Sequence, residues 1–172
     1  MEPDSPSAVR AESLLHPEFA PGRPVFVPSF NPASNFPDSP QAQLAGLARA
    51  ARRPDWREKI LYGVALQRLG RPVSAERQFA AAAALAPREP EARAAAAVGL
   101  FDKEQPSLAF SQLGPLAKTF PRAQTVRFHL GLLLLWIGQV QTAKQELRLA
   151  RADGPRTLLG SQAAALLARL GR

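Results

Sequence analysis

A recurring interval of thirty-four residues constrains this chain more than any other feature. Gly63, Leu66, Gly70, Ala75, Phe79, Ala82 and Pro87 form an ordered series of small and large residues. Adding the interval returns Ala97, Leu100, Ala109, Leu113, Leu116 and Pro121, and adding it again returns Gly131, Leu134, Gly138, Ala143, Leu147, Ala150 and Pro155. Three rounds in unbroken phase describe one structural unit used three times. The spacing predicts two helices per unit. Gly63, Ala97 and Gly131 must let a second helix approach where Ala75, Ala109 and Ala143 meet them, since a larger side chain would hold the pair apart. Phe79, Leu113 and Leu147 follow one helical turn later on the same face. Pro87, Pro121 and Pro155 cannot continue a helix and so end each unit.

The same positions follow the pattern G-x2-Y…A-x3-F…P, and over residues 56 to 157 the chain resembles the tetratricopeptide repeat (TPR) family. That resemblance implies an all-α fold: an α-solenoid of three helix-turn-helix repeats at 56–89, 90–123 and 124–157. An extended or disordered proline-rich arm at 1–40 and a capping helix at 41–54 precede them, and a second capping helix at 158–172 closes the stack. The expected helices run from Trp56 to Leu69, Pro72 to Ala86, Pro90 to Lys103, Pro106 to Thr119, Ala123 to Gly138 and Val140 to Ala152, with Leu158 to Leu170 at the end. The second repeat departs most from the pattern: Glu104 replaces the turn glycine, Leu116 a small residue, and Gly114-Pro115 interrupts the second helix with an expected kink.

The arm is the other unusual stretch. Nine of the seventeen prolines lie in residues 1–40, where no helical period survives. Yet Phe19, Val25, Phe26, Val27, Phe30 and Phe36 stand among them, and unfolded linkers rarely keep such groups in water. Something is expected to cover them.

Chemistry is sparse. Without cysteine there is neither a disulfide nor a thiolate metal site. Of the two histidines, His16 lies in the arm with no helical partner for metal binding, and His129 sits between Phe128 and Leu130 as a groove or packing residue. No phosphate-binding glycine loop occurs. The expectation is no catalysis, no cofactor and no metal. Residues 1–10 lack a basic start followed by an apolar run, and Leu130–Ile137 is too short to span a bilayer, so neither a signal peptide nor a transmembrane segment is read. The expected setting is a bacterial cytoplasm, or the envelope if an N-terminal anchor lies outside this chain.

The net charge is +8, and residues 1–40 carry two arginines against five acids, so the basic excess belongs to the remainder. Arg49, Arg52, Arg53, Arg57 and Lys59 crowd one region. Only Trp56 and Tyr62 stand near them as stacking platforms, which makes nucleic acid an unlikely partner and anion or nucleic-acid binding through the basic surface the alternative function.

By resemblance, such repeats receive a peptide or helix in the concave face lined by their first helices, so the primary expectation is a protein-protein interaction scaffold. The inward residues are Ile60, Val64, Gln67 and Arg68, then Ala94, Val98 and Phe101, then Phe128, His129, Leu132, Leu135 and Trp136. Chaperone-binding members of the family place lysine, asparagine and arginine there; the corresponding places here hold Ile60, Val64, Ala95, Thr125 and His129, so a charged carboxylate clamp is missing. An apolar groove faces an arm whose Val25, Phe26, Val27 and Phe30 are stiffened by flanking prolines, and the arm is expected to dock in the groove and guard it.

Overall fold

The computed structural model describes residues 19–20, 23–31 and 39–171. His16 and Phe36 lie outside the described residues, as does the side chain of Phe19. Two short strands, β1 (Phe19–Ala20) and β2 (Arg23–Pro24), pair antiparallel with Phe19 opposite Pro24 and Ala20 opposite Arg23. Eight helices follow among the described residues: α1 (Pro40–Ala50), α2 (Trp56–Arg68), α3 (Pro72–Leu85), α4 (Pro90–Gly99), α5 (Ser107–Thr119), α6 (Gln124–Trp136), α7 (Val140–Asp153) and α8 (Leu158–Leu170). The fold is all-α.

Local chemistry sets the helix starts. Ser39 Oγ accepts the amide of Ala42 at the head of α1, Asp55 Oδ1 that of Arg57 at α2, and Thr157 Oγ1 that of Gly160 at α8. Prolines open α1, α3 and α4, where their missing N–H costs nothing. Gly70 and Gly138 end the α2 and α6 turns with φ of 67° and 78°, a region that side chains with a Cβ avoid.

Each helix from α2 onward packs on its chain neighbours, and α2, α4, α6 and α8 also touch in sequence, so they line one side of the stack. Close approach relies on glycine at several of the helix contacts, Gly63 and Gly131 among them. A Cβ on Gly63 would lie 2.5 Å from Phe79 Cε1, and one on Gly131 would lie 2.9 Å from Leu147 Cγ. Ala75, Ala109, Ala143, Phe79, Leu113 and Leu147 are fully buried. At the other end of α6, Arg127 binds Glu146 at 3.0 Å and donates to the carbonyls of Ala117 and Pro121, joining α5, α6 and α7. Gln124 Nε2 donates to the carbonyls of Ala150 and Gly154, and its Oε1 accepts from Thr157, so one side chain secures the α7–α8 turn.

The chain departs from the sequence expectation between α4 and α5. Helix α4 stops at Gly99 rather than Lys103. The other two turns have a positive-φ glycine, but here Glu104 stands in its place, and the chain instead leaves the helix early, buries Phe101 completely and turns on Asp102 Oδ1, which accepts the Glu104 amide at 2.8 Å. Helix α5 also runs uninterrupted through Gly114-Pro115. Pro115 and Ser111 are both exposed, so the carbonyl that loses its helical partner belongs to a residue on the solvent side of the helix. Helix α1 ends at Ala50 rather than at 54, because the chain tightens there and the Arg52 and Arg53 amides bond the carbonyls of Arg49 and Ala50 three residues back. The remaining helix ends lie within two residues of those expected: α2 ends at Arg68, α3 at Leu85, α6 spans Gln124–Trp136 and α7 reaches Asp153.

Candidate functional site

Residues 23–31 lie across the side of the stack formed by α2, α4 and α6. Beyond β2, the backbone is held by side chains. Gln67 on α2 takes both ends of one contact: its Oε1 accepts the Phe26 amide at 2.8 Å and its Nε2 donates to the Pro24 carbonyl at 3.4 Å. His129 on α6 accepts the Val27 amide through Nε2 at 3.0 Å. Glu91 in the first turn of α4 accepts the Ser29 amide at 2.6 Å through Oε1 and the Ser29 hydroxyl at 2.5 Å through Oε2. The amides of residues 26, 27 and 29 are thus collected, and the intervening residue is Pro28, which has none to offer. Farther along, Arg23 pairs with Asp102 at 3.3 Å, a half-exposed bridge worth little by itself.

Side chains lock the same segment. Val25 and Phe26 are 1% and 0% exposed and belong to a core that includes Ile60, Val64, Ala94 and Val98. The Phe26 ring stacks on the His129 imidazole and tilts against Phe79 at 5.9 Å. Val27 packs on a second cluster containing Phe128 and Leu132, and Leu135 joins it half-buried. Phe30 meets Trp56 edge-to-face at 5.7 Å, and the Arg57 guanidinium lies 4.3 Å from the Trp56 ring and 5.9 Å from that of Phe30.

Phe101 and Trp136 form an edge-to-face pair at 6.2 Å, and Arg68 is exposed. Phe128 and Leu132 also pack with Leu147, Ala150 and Leu159, so they serve the joint of α6 with α7 and α8 as well as Val27. Phe79, Glu91, Ser29 and Trp56 were not singled out as site residues, and the structure brings all of them to it. Glu91 had a legible signal: it precedes Ala94, Ala95 and Val98 by three, four and seven positions, which puts a carboxylate on the buried face of α4.

Burial sets the ionisation of the site. His129 is 0% exposed, and desolvation lowers its pKa to about 4, against an opposing hydrogen bond to the Thr125 carbonyl. The neighbours assign its tautomer: Nδ1–H donates to the Thr125 carbonyl at 2.6 Å, which leaves the Nε2 lone pair for the Val27 amide. Burial raises the Glu91 pKa, while its two bonds from Ser29 and the field of Arg57 act the other way and Glu89 adds to the rise.

Two cations of the basic cluster are engaged within the fold, Arg57 over Trp56 and Lys59 Nζ donating to the Ala51 carbonyl at 2.8 Å. Among the described residues no group of three His, Asp or Glu side chains is placed to hold a metal ion, and no helix is long and apolar enough to cross a membrane. No protein-family model, curated protein or solved structure matches the chain.

Proposed function

We propose that this protein is a non-catalytic, TPR-like interaction scaffold whose groove receives an extended apolar peptide, with residues 23–31 as its resident guard. The observation that carries the reading is the seat of Phe26: a fully buried aromatic side chain from an extended segment, with the neighbouring amides accepted by Gln67 and His129. Capture of an extended main chain together with side chains in pockets is a general mode of peptide recognition. The segment brings its own prolines, so little backbone entropy is lost when it seats. A partner carrying a similar segment competes with a tethered copy, whose high effective concentration keeps the groove closed to weak ligands.

The test is a labelled peptide with the sequence of residues 23–31, titrated by fluorescence anisotropy into the full chain and into its Phe26→Ala variant. The variant binds the peptide more tightly than the wild-type chain, and binding survives a rise in salt because burial of apolar surface supplies it. A folded Phe26→Ala chain that takes up no peptide refutes the reading. Binding that collapses with salt points instead to the basic surface.

A further inference from the structure

We propose that Glu91 makes the groove selective for an unmodified hydroxyl three positions after the seated aromatic residue, so that a phosphoryl group on Ser29 unlatches the arm. The inference deepens the interaction reading above and rests on the groove being a seat for such segments. Both Glu91 oxygens are committed to one residue, Oε1 to the Ser29 amide and Oε2 to its hydroxyl. An ionised carboxylate only accepts, so whatever occupies this position must present two donors. Serine and threonine do so. Alanine supplies one, and an aspartate or phosphoserine side chain supplies only further acceptors.

The surroundings sharpen the selection. Glu91 is 6% exposed and already destabilised as an anion by burial. Two other charges bear on it, Glu89 with the same sign and Arg57 with the opposite one, and the Arg57 guanidinium is spread over Trp56 and Phe30. A phosphate dianion on Ser29 is therefore held against the carboxylate that now binds its hydroxyl, in a partly desolvated setting where like charges repel more strongly than in water. Ser29 itself is an exposed residue, in contrast to Val25 and Phe26, so the hydroxyl lies at the accessible edge of the seat. In the modifying step Ser29 Oγ takes the γ-phosphoryl group of ATP from a serine/threonine kinase, losing its proton and releasing ADP. The kinase reaches Oγ when the arm is transiently open.

The direct test reads the latch in cis in the full chain. Chymotrypsin cuts after Phe26 only when the segment leaves its seat, so the cleavage rate reports the open population. At pH 8, Ser29→Asp is cleaved at least about tenfold faster than wild type, and Ser29→Thr within about threefold of it. Adding Glu91→Gln to Ser29→Asp brings the rate back toward wild type, because the amide can donate to the new carboxylate. Circular dichroism confirms that each variant is folded. The proposal is overturned if Ser29→Asp is cleaved at the wild-type rate, or if the double variant is no slower than Ser29→Asp alone. None of these outcomes depends on an external ligand, so the latch and the scaffold reading fail separately. In trans, the phosphoserine form of the residue 23–31 peptide binds Phe26→Ala at least about tenfold more weakly than the unmodified form; equal binding also overturns the selectivity.

Discussion

The Phe26 ring lies flat on the imidazole of His129, with centroids 4.1 Å apart and planes 7° from parallel, and the next amide in the chain donates to the same imidazole. One histidine thus holds the arm by its face and by its edge. The edge contact needs the ring neutral: protonation would put an N–H against the Val27 N–H and a charge into a fully buried site.

Acid should therefore loosen the protein in a defined window. The His129 pKa is lowered to about 4 from 6.5, so the native state prefers the neutral ring. Stability from this group is complete above about pH 6.5 and declines as the pH falls toward 4, by on the order of 3 kcal/mol in all. Glu91 has the opposite sign: its raised pKa favours the protonated form, so its contribution improves as the pH falls. Thermal melts between pH 7.5 and 4.5 should show the decline in wild type and a shallower one in His129→Gln. Equal slopes would remove His129 as the cause.

Removing the Phe26 side chain should cost about 3 kcal/mol, toward the lower end for a buried phenylalanine because the arm can leave instead of tolerating a cavity. Chemical denaturation of Phe26→Ala measures this. A loss below about 0.5 kcal/mol, typical of a surface site, would mean that the ring is not buried in solution.

Two glycines separate close packing from backbone strain. Gly63→Ala sets a methyl against the Phe79 ring and should destabilise by about 1–3 kcal/mol. Gly138→Ala meets nothing within 4 Å, yet its φ of 78° should cost roughly 1–2 kcal/mol. Adding Phe79→Leu should recover part of the first loss and none of the second. Denaturation midpoints that fail to show this difference would contradict the helix contact.

Most helices were legible because small residues and prolines recur with a period that suits packed helix pairs. Gly70 and Gly138 mark turns from their residue type alone. The end of α4 was not legible, since the helix stops where Phe101 gains burial, a tertiary choice that overrides the helical propensity of the residues beyond it. The site divided in the same way. Val25, Phe26 and His129 stand out by type and Glu91 by its spacing on the buried face of α4, but the pairing of Glu91 with Ser29, sixty-two residues away, exists only in the fold.

Amide hydrogen exchange along residues 24–30 of the full chain tests the seated arm most directly. The amides of Phe26, Val27 and Ser29 should exchange at least about tenfold more slowly than in the free peptide of residues 23–31, and Phe26→Ala should abolish that protection. Exchange of all three at free-peptide rates in the wild-type chain would contradict the account at its centre.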